Sequence, residues 1–208
     1  MLQIQLGCSL ISGRWILYKF YIAAALNFYS PVQLLMSEQS ILVIDDRKSG
    51  DFRSSSGNEW CLVSDGVMGG VSKGRLSVDT MEDRPCLRMQ GDISLKNNGG
   101  FVQMALNISH DIRENISDYS GLWLEVYGND EPYNIHFRTD DIWLPWQSYR
   151  ATFNAASEWK KLYLSFIEFT PYRINKAIDI TLLKRIGIVA IGRVFSADLC
   201  IGKIGLYK

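Results

Sequence analysis

From Ile41 to Tyr207 the chain runs as short apolar stretches separated by clusters of Gly, Asn, Asp and Pro. ILVID, EWCLVS, GRLSVD, CLRMQGDISL, GFVQMALNI, YNIHFRT, SYRATFNA, KKLYLSFIEF, RIGIVAI and LCIGKIGLY all have the length and composition of strands. Several alternate with period two. Between Gly121 and Gly128, Leu122, Leu124 and Val126 face one way, and Trp123, Glu125 and Tyr127 the other. Only PYRINKAIDITLLKRI and HDIRENISDY leave room for a helical turn. About ten short strands with almost no long helix predict an all-β fold, a two-sheet jelly-roll β-sandwich with few short helical turns. Residues 37–208 read as a single such domain, and RKSGDFRSSSGN as a polar surface loop inside it.

Residues 1–36 differ from this body, since they carry Arg14 and Lys19 and no acid. The apolar patch WILYKFYIAAAL is too short to span a bilayer, and Lys19 interrupts it, so no transmembrane segment is expected. The segment reads as disordered, as a targeting sequence, or as an over-long reading frame upstream of a start at Met36. Charge narrows the function classes. Lys+Arg and Asp+Glu are both 22, and a net charge of zero gives poor footing for nucleic acid. The four cysteines, Cys8, Cys61, Cys86 and Cys200, show no zinc-type pairing and are too sparse for a disulfide framework. They read as reduced, mostly buried thiols. A cytoplasmic location is expected, or a mitochondrial one if the source is eukaryotic.

Catalytic chemistry is thin. His110 and His136 are the two histidines, and neither is expected to have a metal-ligating partner at helical or hairpin spacing. No H-E-x-x-H, P-loop or G-x-G-x-x-G occurs, and DGVMGGVSKG lacks the G-K-[ST] ending that reaches phosphate and magnesium. The pairs Asp45-Asp46 and Asp140-Asp141 are expected in surface turns, because adjacent strand residues face opposite ways and rarely form an acid and base couple. No catalytic residue, metal or cofactor is expected, and the chain reads as a non-enzyme.

EWCLVSDGVMGGVSKGRL, GDISLKNNGGFVQM, WKKLYLSFIEFTPYR and RIGIVAIGRVFSADLCIGKIGLY follow one another in the order seen in the complex I intermediate-associated protein family. The chain resembles that family over Ile41 to Tyr207. It departs from it at Ser165, which precedes Phe166 where the family has Pro. The resemblance implies a galactose-binding-like jelly roll and a non-catalytic role. The family's mitochondrial member is an assembly factor or chaperone for partly built NADH:ubiquinone oxidoreductase.

Two loops stand out within the resemblance. Asp65 and Gly66 suit a tight turn whose carboxylate takes N–H groups two residues on, Gly69 and Gly70 allow positive φ or close approach, and Met68 would plug down as an apolar anchor. Asn97, Asn98, Gly99, Gly100 and Phe101 form a matching corner. The two loops are expected to pack at one end of the sandwich, Asn side chains bonding the other loop's backbone and Phe101 covering Met68. Special backbone geometry explains every one of these residues; the alternative is that the same end docks a partner.

A second candidate is the polar side of the middle strands. If Trp123, Glu125 and Tyr127 share a face with His136, Arg138 and Thr152, with Trp143 and Trp146 in the adjoining DDIWLPW loop, aromatic plates and polar groups would converge. Sugar sites use that mix, and so do protein interfaces. Two readings remain. One is an interaction protein whose partners are proteins, complex I assembly intermediates among them. The other is a carbohydrate- or small-molecule-binding module.

Overall fold

The structure, a computed structural model, describes residues 41–208. The expectations for residues 1–36 and for Cys8 lie outside those residues. The strands are β1 (Ile41–Asp45), β2 (Trp60–Ser64), β3 (Lys73–Met81), β4 (Arg84–Ile93), β5 (Phe101–Asn107), β6 (Gly121–Tyr127), β7 (Glu131–Thr139), β8 (Ser148–Ala155), β9 (Lys160–Ser165), β10 (Thr170–Tyr172), β11 (Leu183–Ile191) and β12 (Phe195–Tyr207). One short helix, α1 (His110–Asn115), links β5 to β6. Of the stretch 171–186, only Ile180–Leu182 forms a helical turn, and Pro171 sits in the edge strand β10.

All pairings between these strands are antiparallel, in two six-stranded sheets. The first runs β3-β4-β12-β6-β9, with β1 also paired to β12; the second runs β10-β8-β7-β11-β5-β2. The long strand β12 pairs with β4 through Phe195–Ile201 and with β1 through its last residues. A register shift between Ile201 and Ile204 falls at Gly202-Lys203. That bulge changes the parity of the strand, so Leu199 and Ile201 before it and Ile204 and Leu206 after it all reach the core.

Between the sheets, Leu122, Leu124 and Val126 of β6 meet Met104, Ile135, Phe137, Ile186 and Ile188 of the second sheet. Each such side chain buried from water contributes about 1.5–3 kcal/mol. Phe137 also stacks on Phe169 at 3.9 Å, which closes the core beneath β10.

Three expectations are corrected here. Cys86 and Cys200 form a disulfide rather than standing reduced: β4 and β12 are neighbours, and the two Cα atoms lie 5.5 Å apart although 114 residues separate them in sequence. Cys61 is exposed, on the solvent side of β2. Asp45 is buried rather than in a surface turn. Its carboxylate accepts Trp60 Nε1–H at 2.7 Å and the Arg47 main-chain N–H at 2.9 Å, and pairs with the Arg47 guanidinium at 3.1 Å. Arg47 in turn donates to the carbonyls of Arg53 and Asp51, so the polar loop after β1 is wound around a buried ion pair.

Candidate functional site

The two glycine-bearing corners meet around one carboxylate. Asp65 is fully buried; its Oδ1 accepts the Ser72 N–H at 3.0 Å, and its Oδ2 accepts Ser72 Oγ–H at 2.5 Å, Gly100 N–H at 2.5 Å and Phe101 N–H at 3.3 Å. Burial pushes this carboxyl up, and the four hydrogen bonds outweigh it and hold it below its ordinary range. The glycines follow from the close approach. A Cβ on Gly70 would lie 2.3 Å from Asp65 Cγ, and one on Gly99 would lie 2.4 Å from Asp65 Oδ2. Gly69 ends the single turn 65–68 at φ 85°, and Asn97 Nδ2 donates to its carbonyl at 3.2 Å. Asn97 and Asn98 both take left-handed backbone.

Two details of the loop expectation change. Asp65 bonds Ser72, seven residues on, and the opposite corner at Gly100 and Phe101, rather than N–H groups two residues on; it is the Ser64 hydroxyl that takes the Gly66 N–H. Met68 does not plug down but is 53% exposed beside Val67; the one residue that the turn 65–68 buries is Asp65. The stretch Gly70-Val71-Ser72-Lys73-Gly74 has the outline of a hydrolase nucleophile elbow, yet Ser72 Oγ donates its one proton to Asp65 and accepts the Ser94 N–H at 3.0 Å, and the stretch enters a strand.

The expected shared face of the middle strands is divided between the two sheets. Trp123, Glu125 and Tyr127 lie on the outer side of β6 in the first sheet, whereas His136, Arg138 and Thr152 lie on the outer side of the second. The core stands between them. Trp123 is only 3% exposed: it lies flat over Gly205, and Lys161 Nζ covers its ring at 4.3 Å. Tyr127 packs edge-on against Trp159, whose Nε1–H donates to the Met81 carbonyl. The polar depression on this side, lined by Lys73, Arg75, Gln90, Asp92, Ser196 and Asp198 among others, contains no aromatic wall.

The outer side of the second sheet is different. Strand registers align Cys61, Ala105, Gly187, His136, Arg150 and Thr170 in one row across six strands. Arg138 and Arg185 face each other in the next row. His136 is 8% exposed, and its Nε2 has no hydrogen-bond partner. Burial first and the Arg150 charge second push its pKa down to about 3. Burial also lowers Arg138 and Arg150, and the neighbouring Arg185 charge adds to the effect at Arg138. Arg150 stacks over the Tyr172 ring at 3.4 Å. The 140–147 connection is tied to this face by Arg138 Nη1–H donating to Pro145 O at 2.8 Å and Gln147 Nε2–H to Arg173 O at 3.0 Å. It carries Trp143, 88% exposed, and Trp146, 45% exposed. Arg150, Arg185 and Tyr172 were not singled out from sequence; the period-two spacing from Thr152 back to Arg150 was the available signal.

At the start of α1, His110 Nδ1 comes within 3.5 Å of Glu114 Oε1, which corrects the expectation that His110 has no partner at helical spacing: the short helix brings i and i+4 onto one face. With Asp111 the pair forms the one such cluster among the described residues, and all three are exposed. Asp140 and Asp141 are surface groups paired to Arg113, Lys184 and Lys176.

The family described as complex I intermediate-associated protein 30 (CIA30) matches residues 49–200. The chain belongs to the CIA30 family. No curated protein sequence matches it. Among solved structures it is similar to the family 11 carbohydrate-binding module of cellulosomal cellulase Lic26A-Cel5E of Clostridium thermocellum, with a TM-score of 0.62 at 11% identity over 80% of this chain and 94% of that one. The Clostridium thermocellum module in complex with a β-1,3-1,4-mixed-linked tetrasaccharide gives a TM-score of 0.60 at 11% identity, covering 81% and 94%. The likeness establishes the jelly-roll sandwich for this CIA30 member. No helix among the described residues is long and apolar enough to cross a membrane.

Proposed function

We propose that this CIA30 chain is a non-catalytic interaction protein of the assembly-factor kind, which holds a partner protein rather than transforming a substrate. The observation that carries the reading is Trp143, an indole 88% exposed on a connection whose backbone is anchored by Arg138 and Gln147. Trp, Tyr and Arg are the residues on which protein interfaces concentrate affinity, and a preorganised loop spends little entropy in presenting them. Family membership supports assembly intermediates of NADH:ubiquinone oxidoreductase as the partner; the location that goes with this reading is the cytoplasm, or a mitochondrion if the source is eukaryotic. The Cys86–Cys200 bond is the one observation that sits against a reducing compartment. Affinity capture of the tagged full chain from its native cells tests the reading. Respiratory-chain subunits should co-purify with the natural chain and be lost with Trp143→Ala. Equal recovery with both, or no such subunit with either, would count against it.

A carbohydrate-binding reading has its own support, in the Arg150 guanidinium lying over the Tyr172 ring at the end of the same sheet. An aromatic plate beside a multiple donor is also how sugars are held. A thermal-shift panel of neutral oligosaccharides tests it; a melting temperature that no sugar raises removes it.

A further inference from the structure

We propose that the outer face of the second sheet docks an acidic polypeptide segment, whose carboxylates are taken by Arg138, Arg150 and Arg185. This rests on the reading of the chain as a protein-binding platform and names the chemistry of its partner.

Charge on this face is uncompensated. Across β2, β5, β7, β8, β10 and β11 the sole acidic residue is Glu131, and Arg193 already holds it at 2.5 Å. Arg138, Arg150 and Arg185 make no ion pair with any described residue. The first sheet shows the contrast: its outward Arg88 is clamped between Asp79 at 2.9 Å and Asp198 at 2.7 Å. A chain of zero net charge has therefore placed an unbalanced positive set on one face.

The three guanidiniums are arranged rather than scattered. Arg185 stands in register opposite Arg138, a like-charge pairing that destabilises a sheet unless an anion relieves it. Arg150 stands in register opposite His136, one strand further on. Each fork is oriented by one bond to a neutral acceptor: Arg138 to Pro145 O at 2.8 Å, Arg150 to Ser148 Oγ at 2.9 Å and Arg185 to Asn107 Oδ1 at 2.8 Å. The remaining donors of each fork are free of carboxylate. Beneath them, the His136 ring is buried with Nε2 unpartnered, a polar group left without a bond in the middle of the same face.

Spacing favours a polypeptide. Neighbouring strands lie about 4.8 Å apart, and carboxylates at i and i+4 of a helix have Cβ atoms about 5–6 Å apart, so successive acids can meet successive guanidiniums. Fork-shaped guanidiniums bind carboxylates in pairs of parallel hydrogen bonds. Trp143, Trp146 and Tyr172 beside the arginines supply apolar anchors that a peptide can use and a small anion cannot.

Calorimetric titration of the full chain with an acetylated hexaglutamate peptide, at low salt, is the test. Hexaglutamine, inorganic phosphate and an oligogalacturonate are the comparison probes. Hexaglutamate should bind, hexaglutamine should not, and affinity should fall with rising salt. Arg138→Ala and Arg150→Ala should each weaken hexaglutamate binding about tenfold or more with an unchanged circular dichroism spectrum. Arg150→Lys should recover only part, since charge returns without the fork. The proposal falls if hexaglutamate does not bind, if the alanine variants bind like the natural chain, or if phosphate binds more tightly. Tighter binding of oligogalacturonate overturns it in favour of an acidic glycan. If Trp143→Ala abolishes subunit capture while the arginine variants retain it, this inference fails and the interaction reading survives.

Discussion

Asp65 Oδ2 accepts the main-chain N–H of Gly100 at 2.5 Å, across 35 residues of chain. That bond joins the corner before β3 to the corner before β5. One buried carboxylate therefore ties an edge strand of the first sheet to a strand of the second, and the glycines around it are small because it is close.

Asp65→Asn should lower stability by about 2–4 kcal/mol, since the amide turns donors toward N–H groups that need an acceptor. Gly70→Ala should act in the same direction, because its Cβ would sit 2.3 Å from Asp65 Cγ. Urea denaturation of both variants is the measurement. Losses under about 0.5 kcal/mol, the scatter of ordinary surface changes, would show that the corner is not a rigid joint. The Asp65 carboxyl is held low in the folded state, so its contribution is whole above the unfolded value near about pH 4 and is lost as pH falls further.

His136 governs a higher range. Its folded pKa is pushed down to about 3, while an unfolded histidine titrates near about 6.5. Between those values the unfolded chain binds the proton and the folded chain does not. Stability is therefore whole above about pH 7 and declines as pH drops through 6.5 toward 3. On going from pH 7 to pH 5, the natural chain should lose about 1–2 kcal/mol more than His136→Gln. Equal losses in paired urea melts would refute the buried, neutral imidazole.

The Cys86–Cys200 bond closes a loop of more than half the chain, and cross-links of that kind restrict the unfolded ensemble most. Reduction, or the double change Cys86→Ala and Cys200→Ala, should cost about 2–4 kcal/mol. Scanning calorimetry with and without reductant reads the shift; a melting temperature indifferent to reductant would mean the pair does not brace β4 against β12.

Two tryptophans on outer faces should behave oppositely. Trp143→Ala should leave stability within about 0.5 kcal/mol, because the indole is 88% exposed. Trp123→Ala should cost about 3 kcal/mol or more, since its ring is 3% exposed between Gly205 and Lys161. Chemical denaturation compares the two directly, and a stability loss at Trp143 would mean its loop is a structural element instead of a presented surface.

The corner formed by residues 65–70 and 97–101 was legible because it is built from residue types with a single local use: glycine where a Cβ does not fit, asparagine where the backbone turns left-handed. The second-sheet face was not. Its members come from β7, β8, β10 and β11, and nothing local to SYRATFNA or RIGIVAI says that Arg150 will stand opposite His136 and Arg185 opposite Arg138.

Strand positions and the inward set of each strand, such as Leu122, Leu124 and Val126, were already determined by the order of residues, because period two and turn chemistry act over a few neighbours. Which sheet each strand joins was decided only by tertiary pairing. That choice separated Trp123 from His136, brought Cys86 to Cys200, and drew Asp45 beneath Trp60. The physical reason is that alternation specifies in or out along one strand, whereas neighbours across strands depend on register between segments far apart in the chain.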